Sequence, residues 1–280
     1  MTRYEQIMGV DLPHLRQDYT ARDTTLYALG IGAAQDPGDA VERRLVYEDG
    51  LVALPSMAVT LAWPGAWFRD SASGLDFTQI VHASERIELD GPLPVAARVS
   101  ARARVVAIHD KGPGRGSLLV TRREVMDDGT GRRLAMVQST VFCRGDGGLG
   151  GPLIPPPGPH PIPDRAPDRL DEVPTDPRAA LIYRLSGDDN PLHVDPDVAR
   201  AARFPGPILH GLSTYGHVCR VIMRRRGFDA HLRVLDCRFV GPVFPGEALR
   251  IESWIEGARE SFRVFAADRR VIDNGLAVFA

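Results

Sequence analysis

The chain has 280 residues, room for two ordinary domains or one large one, and either can bury a substantial core. Apolar residues make up 44% and charged residues 25%, a water-soluble globular composition. A formal net charge of -2 excludes any bulk attraction to nucleic acid or anionic membrane. Positive charge is nearly all arginine, with Lys111 the only lysine, and the planar guanidinium fork suits phosphate oxygens. Cys143, Cys219 and Cys237 are odd in number and lack metal-ligand spacing, so they read as buried or free thiols in a reducing compartment. No apolar run approaches ~18 residues, MTRYEQIMGVDLPHLRQDY has no apolar signal core, and GLAVFA is not an SKL-type address. The expected location is the cytoplasm.

In chain order, residues 18–33 (DYTARDTTLYALGIGA) predict a helix start, with Thr20 as N-cap, Asp23 three residues on, and Leu26, Leu29 and Ala33 at helical spacing. Leu45–Tyr47 and Val52–Leu54 read as short extended pieces. Met57–Ala62 is apolar, and WPGAWFRDSASGLDF is an aromatic loop; nothing between 55 and 80 demands a long helix. From Ser84 the period changes to two: Ile87 and Leu89, then 95–109, 117–126 and 135–144, predict β-strands. Asp127-Asp128-Gly129 is a hairpin turn before the last of them. His82 falls just ahead of this sheet, as a structural residue or a wall of a substrate tunnel.

Residues 146–177 are dense in Gly and Pro and predict a semi-extended linker between a first unit (1–145) and a second (178–280). Beyond it, Ala179–Leu185 predicts a short helix. Asp195 caps another with Pro196 at its first position. A longer helix runs from about Gly211 to Arg226, with Leu212, Tyr215, Cys219, Ile222 and Met223 on one face and Gly227 as its left-handed cap. Strands follow near 232–240, 247–256, 261–268 and 271–279. The second half echoes the first. LDGPLPVAARV (89–99) parallels FVGPVFPGEALRI (239–251), and TLYALGIG parallels LIYRLSGD. That second alignment sets Tyr27 opposite Tyr183 and puts Gly32 where Asp188 stands, with no counterpart of His193. The expected fold class is α+β: two repeats, each an antiparallel sheet wrapping a helix, the first with its central helix shortened or missing.

The densest chemistry lies in Tyr183–Gly211 (YRLSGDDNPLHVDPDVARAARFPGPILHG). Asp188 and His193 are five apart, which no helix face brings together, so they converge only across a turn or overhanging loop. Such a turn aims two acid/base groups of different pKa at one small molecule, with Asn190 orienting one of them. Asn190-Pro191 taken alone is an ordinary turn pair. Gly211 opens the long helix, where backbone N–H groups lack partners and the dipole favours negative charge. Tyr183 reads as a wall of the site, and His210 as a group that positions the helix start. His193, His210 and His217 lack chelating spacing and no HExxH or CxxC accompanies them, so no metal is expected.

SGDDNPLH followed by PILHG resembles the hydratase 2 motif of the MaoC-like (R)-specific enoyl-CoA hydratases. YTARDTTLYALGIGA, HASERIELDGPLP and GGLGG also resemble the two-repeat members of that family, in the family's order. The resemblance implies a double hotdog fold. It also implies hydration of trans-2-enoyl-CoA to (3R)-hydroxyacyl-CoA in fatty acid metabolism, with no cofactor beyond the CoA of the substrate. Asp188 and His193 would then share water activation at Cβ and proton delivery to Cα, while Gly211 N–H stabilises the thioester oxyanion. The resemblance further marks Glu48, in VYEDG, as a substrate-pocket glutamate, although the residue alone reads as an exposed acid before the Asp49-Gly50 turn. A dehydratase of 3-hydroxyacyl carrier protein shares this chemistry; a hotdog thioesterase would attack the carbonyl instead. The Asp–Asn–His spacing argues against the thioesterase, and the intact dyad against a non-catalytic acyl-CoA scaffold. A two-repeat chain supplies the hotdog pair internally and can still form a homodimer.

Overall fold

The computed structural model describes residues 1–69 and 73–280. Ten strands form one antiparallel sheet: β1 (His14–Tyr19), β2 (Ile80–Leu89), β3 (Ala97–Asp110), β4 (Ser117–Asp127), β5 (Arg133–Cys143), β6 (Arg169–Pro174), β7 (Leu232–Phe239), β8 (Ala248–Glu256), β9 (Arg259–Ala266) and β10 (Arg269–Phe279). Their order is β1-β3-β4-β5-β2-β7-β10-β9-β8-β6, which reads the same from either edge once β6–β10 are matched to β1–β5. The duplication expected from the echo is therefore a pseudo-twofold about the β2–β7 seam. Aligning Gly91-Pro92 with Gly241-Pro242 makes Arg86 the counterpart of Asp236, and these two face each other in register across the seam, 3.0 Å apart.

The period-two strands lie within a few residues of their expected bounds. His82 is a departure, since it lies inside β2 rather than ahead of it. β6 is another: it lies within the expected linker and pairs with β8 at the sheet edge. Leu45–Tyr47 and Val52–Leu54 form no strand; the first is a run of turns after the short helix α3 below, and Leu45 and Leu54 are buried there without sheet pairing.

Among the described residues the α-helices are α1 (Arg3–Met8), α2 (Ala21–Gly30), α3 (Ala40–Arg43), α4 (Ala179–Tyr183), α5 (Pro196–Ala201) and α6 (Gly211–Arg224). At the start of α2, the Asp23 carboxylate accepts from both the backbone N–H and the hydroxyl of Thr20, each at 2.8 Å. Asp195 caps α5 by accepting from the N–H of Asp197 at 2.8 Å. The central helix α6 is buried from Ser213 to Met223, on all sides rather than on one face. Such burial marks a helix enclosed by its own sheet and by the opposite repeat. Tyr215 Oη donates to the Leu235 carbonyl of β7 (2.8 Å), and Gly216 lets α2 approach closely. A Cβ on Gly216 would stand 2.5 Å from Ile31 Cγ2 and 3.0 Å from Tyr27 Oη. The buried Arg220 guanidinium pairs with Glu42 of α3, tying the two halves together.

In the first repeat the central helix is reduced to a 3-10 turn, Pro55–Val59. Its carbonyl end is closed by Arg123 of β4, whose buried guanidinium donates to Ala58, Val59 and Leu61 carbonyls. Burial lowers the Arg123 pKa to about 10, with nearby Glu85 opposing that shift. A fixed cation at a helix C-terminus complements its exposed carbonyls. One continuous apolar core runs through both halves, from Tyr27 and Val99 to Tyr215, Phe262 and Ile272.

Candidate active site

Local chemistry explains how SGDDNPLH folds. Helix α4 passes into a 3-10 turn and ends at Gly187 with φ +119°, a backbone angle that disfavours any side chain. The chain leaves in a new direction and presents Asp188. Asn190 adopts the extended ψ (121°) favoured before proline, and Pro191 opens a 3-10 turn over Pro191–His193. The Asn190 side chain accepts from Leu192 N–H (3.1 Å), while its backbone N–H donates to Asp188 Oδ1 (3.2 Å). Asn190 thus shapes the loop and steadies the acid through its main chain; its side-chain amide caps the turn and makes no bond to either Asp188 or His193. The turn-pair reading holds for its side chain.

Asp188 and His193 do converge. A carboxylate oxygen of Asp188 and one ring nitrogen each from His193 and His210 lie within 4.8 Å of one another. Two acceptors sharing one water, each about 2.8 Å from its oxygen, stand about 4.5 Å apart. His193 Nδ1 donates to the Ile208 carbonyl (2.8 Å), which fixes the tautomer and leaves Nε2 with its lone pair available. Burial lowers the His193 pKa below 6.5, against the opposing pull of the Ile208 carbonyl and of Asp188. The imidazole is accordingly neutral at neutral pH.

His210 and Tyr183 stand behind this pair. The His210 ring stacks on His193 with centroids 3.6 Å apart, and Tyr183 packs on His210 at 5.0 Å. His210 Nε2 donates to the backbone carbonyl of Asp188 (3.2 Å), so the N-cap residue of α6 also fastens the acid's main chain. Burial, with the neighbouring His193, pushes the His210 pKa down to about 2. Tyr183 is fully buried, and its hydroxyl has no partner among the described residues. Neither residue lines the cavity; both support its wall from behind. His217 lies apart from the cluster, its Nδ1 donating to Ser213 O within α6.

The cavity, about 420 Å³, is lined by both repeats. Asp188, Asn190, His193 and Gly211 form one side. The aromatic loop Trp63–Phe68 and the inner faces of β2, β4 and β5 form the other. At the head of α6 the first helical N–H with an acceptor is that of Ser213, leaving Gly211 and Leu212 N–H without one among the described residues. A Cβ on Gly211 would stand 3.3 Å from the Phe239 ring, so glycine keeps the helix start open to a bound group.

Glu48 is not part of this site. It lies exposed on the turn after α3 and does not line the cavity. The buried acid of that region is Glu42, committed to Arg220 and to Ala34 N–H. Conversely, Glu85, Arg123 and Phe239 line the cavity without having been singled out, and His82 proves to be a cavity wall. Only the strand register, which a local motif does not contain, gathers them. In the first repeat, Gly32 (φ +74°) occupies the place matched to Asp188, and a Cβ there would stand 2.9 Å from His217 Nε2. A side chain there would be strained by the backbone and would have to displace His217.

Fold and site together define a double hotdog protein with one acid–imidazole pair at the head of its second central helix. Residues 17–145 match the MFE-2 hydratase 2 N-terminal domain, and residues 160–274 match the MaoC like domain. An enoyl-CoA hydratase of Mycobacterium tuberculosis is 35% identical, over 97% of this chain and 94% of its own length. A peroxisomal enoyl-CoA hydratase 2 of Arabidopsis thaliana is also 35% identical, over 94% and 90%. The crystal structure of a MaoC-like dehydratase from Phytophthora capsici superposes with a TM-score of 0.86 at 28% identity, covering 99% of this chain and 97% of that one. The chain belongs to the MaoC-like hydratase 2 family.

Proposed function

We propose that the protein is a hydro-lyase that reversibly hydrates trans-2-enoyl-CoA to (3R)-hydroxyacyl-CoA. The observation that carries this reading is the meeting of Asp188 and His193, within reach of one water, beside the unpaired N–H groups that open α6. The carboxylate oxygen of Asp188 and neutral His193 Nε2 are the two acceptors in this reading, so a water between them donates both hydrogens and turns its oxygen lone pair to Cβ. As the C–O bond forms, one proton passes to the dyad and the electron pair moves through Cα to the thioester oxygen. Gly211 N–H and the helix start stabilise that oxyanion, a contribution of about 3 kcal/mol for one well-aimed donor. The dyad then returns a proton to Cα from the same side, which makes the addition syn. The (3R) outcome rests on the family resemblance.

Loss of the enoyl-thioester absorbance with crotonyl-CoA tests the reading. Asp188→Asn and His193→Ala are each expected to lower kcat by about 10²–10⁴-fold with the fold intact by circular dichroism. Wild-type rates in both variants would refute the assignment. The reading needs no metal, although Asp188, His193 and His210 are close enough to hold one. Activity is expected to survive exhaustive chelation, and a loss restored by a divalent ion would overturn that part. We also place the protein in the cytoplasm, supported by three free buried thiols; no helix among the described residues is long and apolar enough to cross a membrane. Fluorescence of a tagged chain concentrated in an organelle would contradict this.

A further inference from the structure

The concave face of the first repeat carries a polar row within the cavity. Register aligns Thr121 of β4 with Ser139 of β5, and Ser139 with Glu85 of β2, so the three form one row across adjacent strands. All three line the cavity beside His82. Glu85 is almost fully buried, and its Oε2 is bound by His82 Nε2 at 3.0 Å. Its Oε1 has no protein partner among the described residues, and neither has the Ser139 hydroxyl. Arg123, the neighbouring cation, donates through Nε and Nη2 to the carbonyls of residues 58, 59 and 61 and forms no ion pair with Glu85 among the described residues. The row belongs to the same cavity as the helix start, because Phe239 touches the Gly211 position on one side and the His82 ring, 4.7 Å away, on the other.

A buried carboxylate facing a plain hydrocarbon chain would keep an unpaired oxygen in apolar surroundings, an arrangement that costs more than a hydrogen bond contributes. We infer that Glu85 and Ser139 form a specificity subsite for a hydroxyl group on the acyl chain. The hydroxyl donates to Glu85 Oε1 and accepts from Ser139. Glu85 Oε1 offers an acceptor and the Ser139 hydroxyl a donor, which makes a neutral hydroxyl, itself both donor and acceptor, the fitting partner. This inference rests on the hydratase reading for its place in catalysis.

The test compares trans-2-decenoyl-CoA with isomers carrying one hydroxyl moved along the chain. One position is expected to raise kcat/KM about tenfold over the unsubstituted chain, the worth of one charge-assisted hydrogen bond. Ser139→Ala and Glu85→Leu should each cut that preference to about threefold or less. Ser139→Ala is the milder change and remains decisive if Glu85→Leu, which strands His82, does not fold. Isomers no better than the parent, or a preference that survives Ser139→Ala, overturn the inference. Should no enoyl-CoA turn over, the hydratase reading fails separately. Calorimetry with saturated hydroxydecanoyl-CoA and decanoyl-CoA then decides the subsite, equal affinities counting against it.

Discussion

His193 sits in a pocket that disfavours its cation, and this sets the direction of the pH response. Its pKa lies below 6.5 because burial outweighs the Ile208 carbonyl and Asp188. Under the proposed function the neutral imidazole is therefore present at neutral pH, and kcat/KM is expected to stay level down through pH 6.5 and fall only in more acid solution. A limb with its midpoint at or above 6.5 would contradict the assignment. The same buried imidazoles tie stability to pH. His217 is lowered to about 4 by burial and Arg220, and His210 to about 2 by burial and His193. The unfolded chain binds these protons first, so the stabilisation is whole above about pH 6.5 and is lost as pH falls towards the folded values. At this scale the sequence was informative about Asp188, His193 and Gly211, because one loop and one helix start carry them. Asn190 was read for its side chain when its main chain does the positioning. Glu85 acquires meaning only from Ser139 and His82 on paired strands, which no local spacing reveals.

Among the elements, α6 governs the cavity because its first turn leaves Gly211 and Leu212 N–H without acceptors among the described residues and its body packs against both repeats. Gly216 is the narrowest point of that packing. Alanine there would gain about 1 kcal/mol in helix propensity but would press into Ile31 and Tyr27. Overpacking of this kind costs about 1–3 kcal/mol, and a Cβ at 2.5 Å from Ile31 Cγ2 puts this site at the upper end. Gly216→Ala is expected to destabilise by about 2 kcal/mol net in urea unfolding, and a stabilised variant would show that α2 can withdraw freely. The ladder strands were legible because alternating burial and Gly-rich turns mark them. The two edge strands were not. β1 (HLRQDY) buries only Tyr19, and β6 (RLDEVP) buries no residue fully and ends at a proline. Edge strands need little apolar patterning, so their sequences resemble loops. Leu45 and Leu54 misled in the opposite sense, being apolar because they fill the core from turns.

For the molecule as a whole, the sheet reads alike from both ends while the chemistry does not. The seam between β2 and β7 places the second repeat's dyad opposite the first repeat's concave face, where only the Pro55–Val59 turn stands in for a central helix. Arg123 closes the end of that turn, and the vacated room becomes cavity wall. At the place matched to Asp188, a Cβ on Gly32 would meet His217, and His193 has no counterpart in the first repeat. Stoichiometry follows from that asymmetry. The two matching halves of the sheet carry one Asp188–His193 pair, so under the proposed function a slowly dissociating mimic of the oxyanion should extinguish turnover at one equivalent per polypeptide. An endpoint at two would mean that the silent repeat had kept a catalytic pocket of its own.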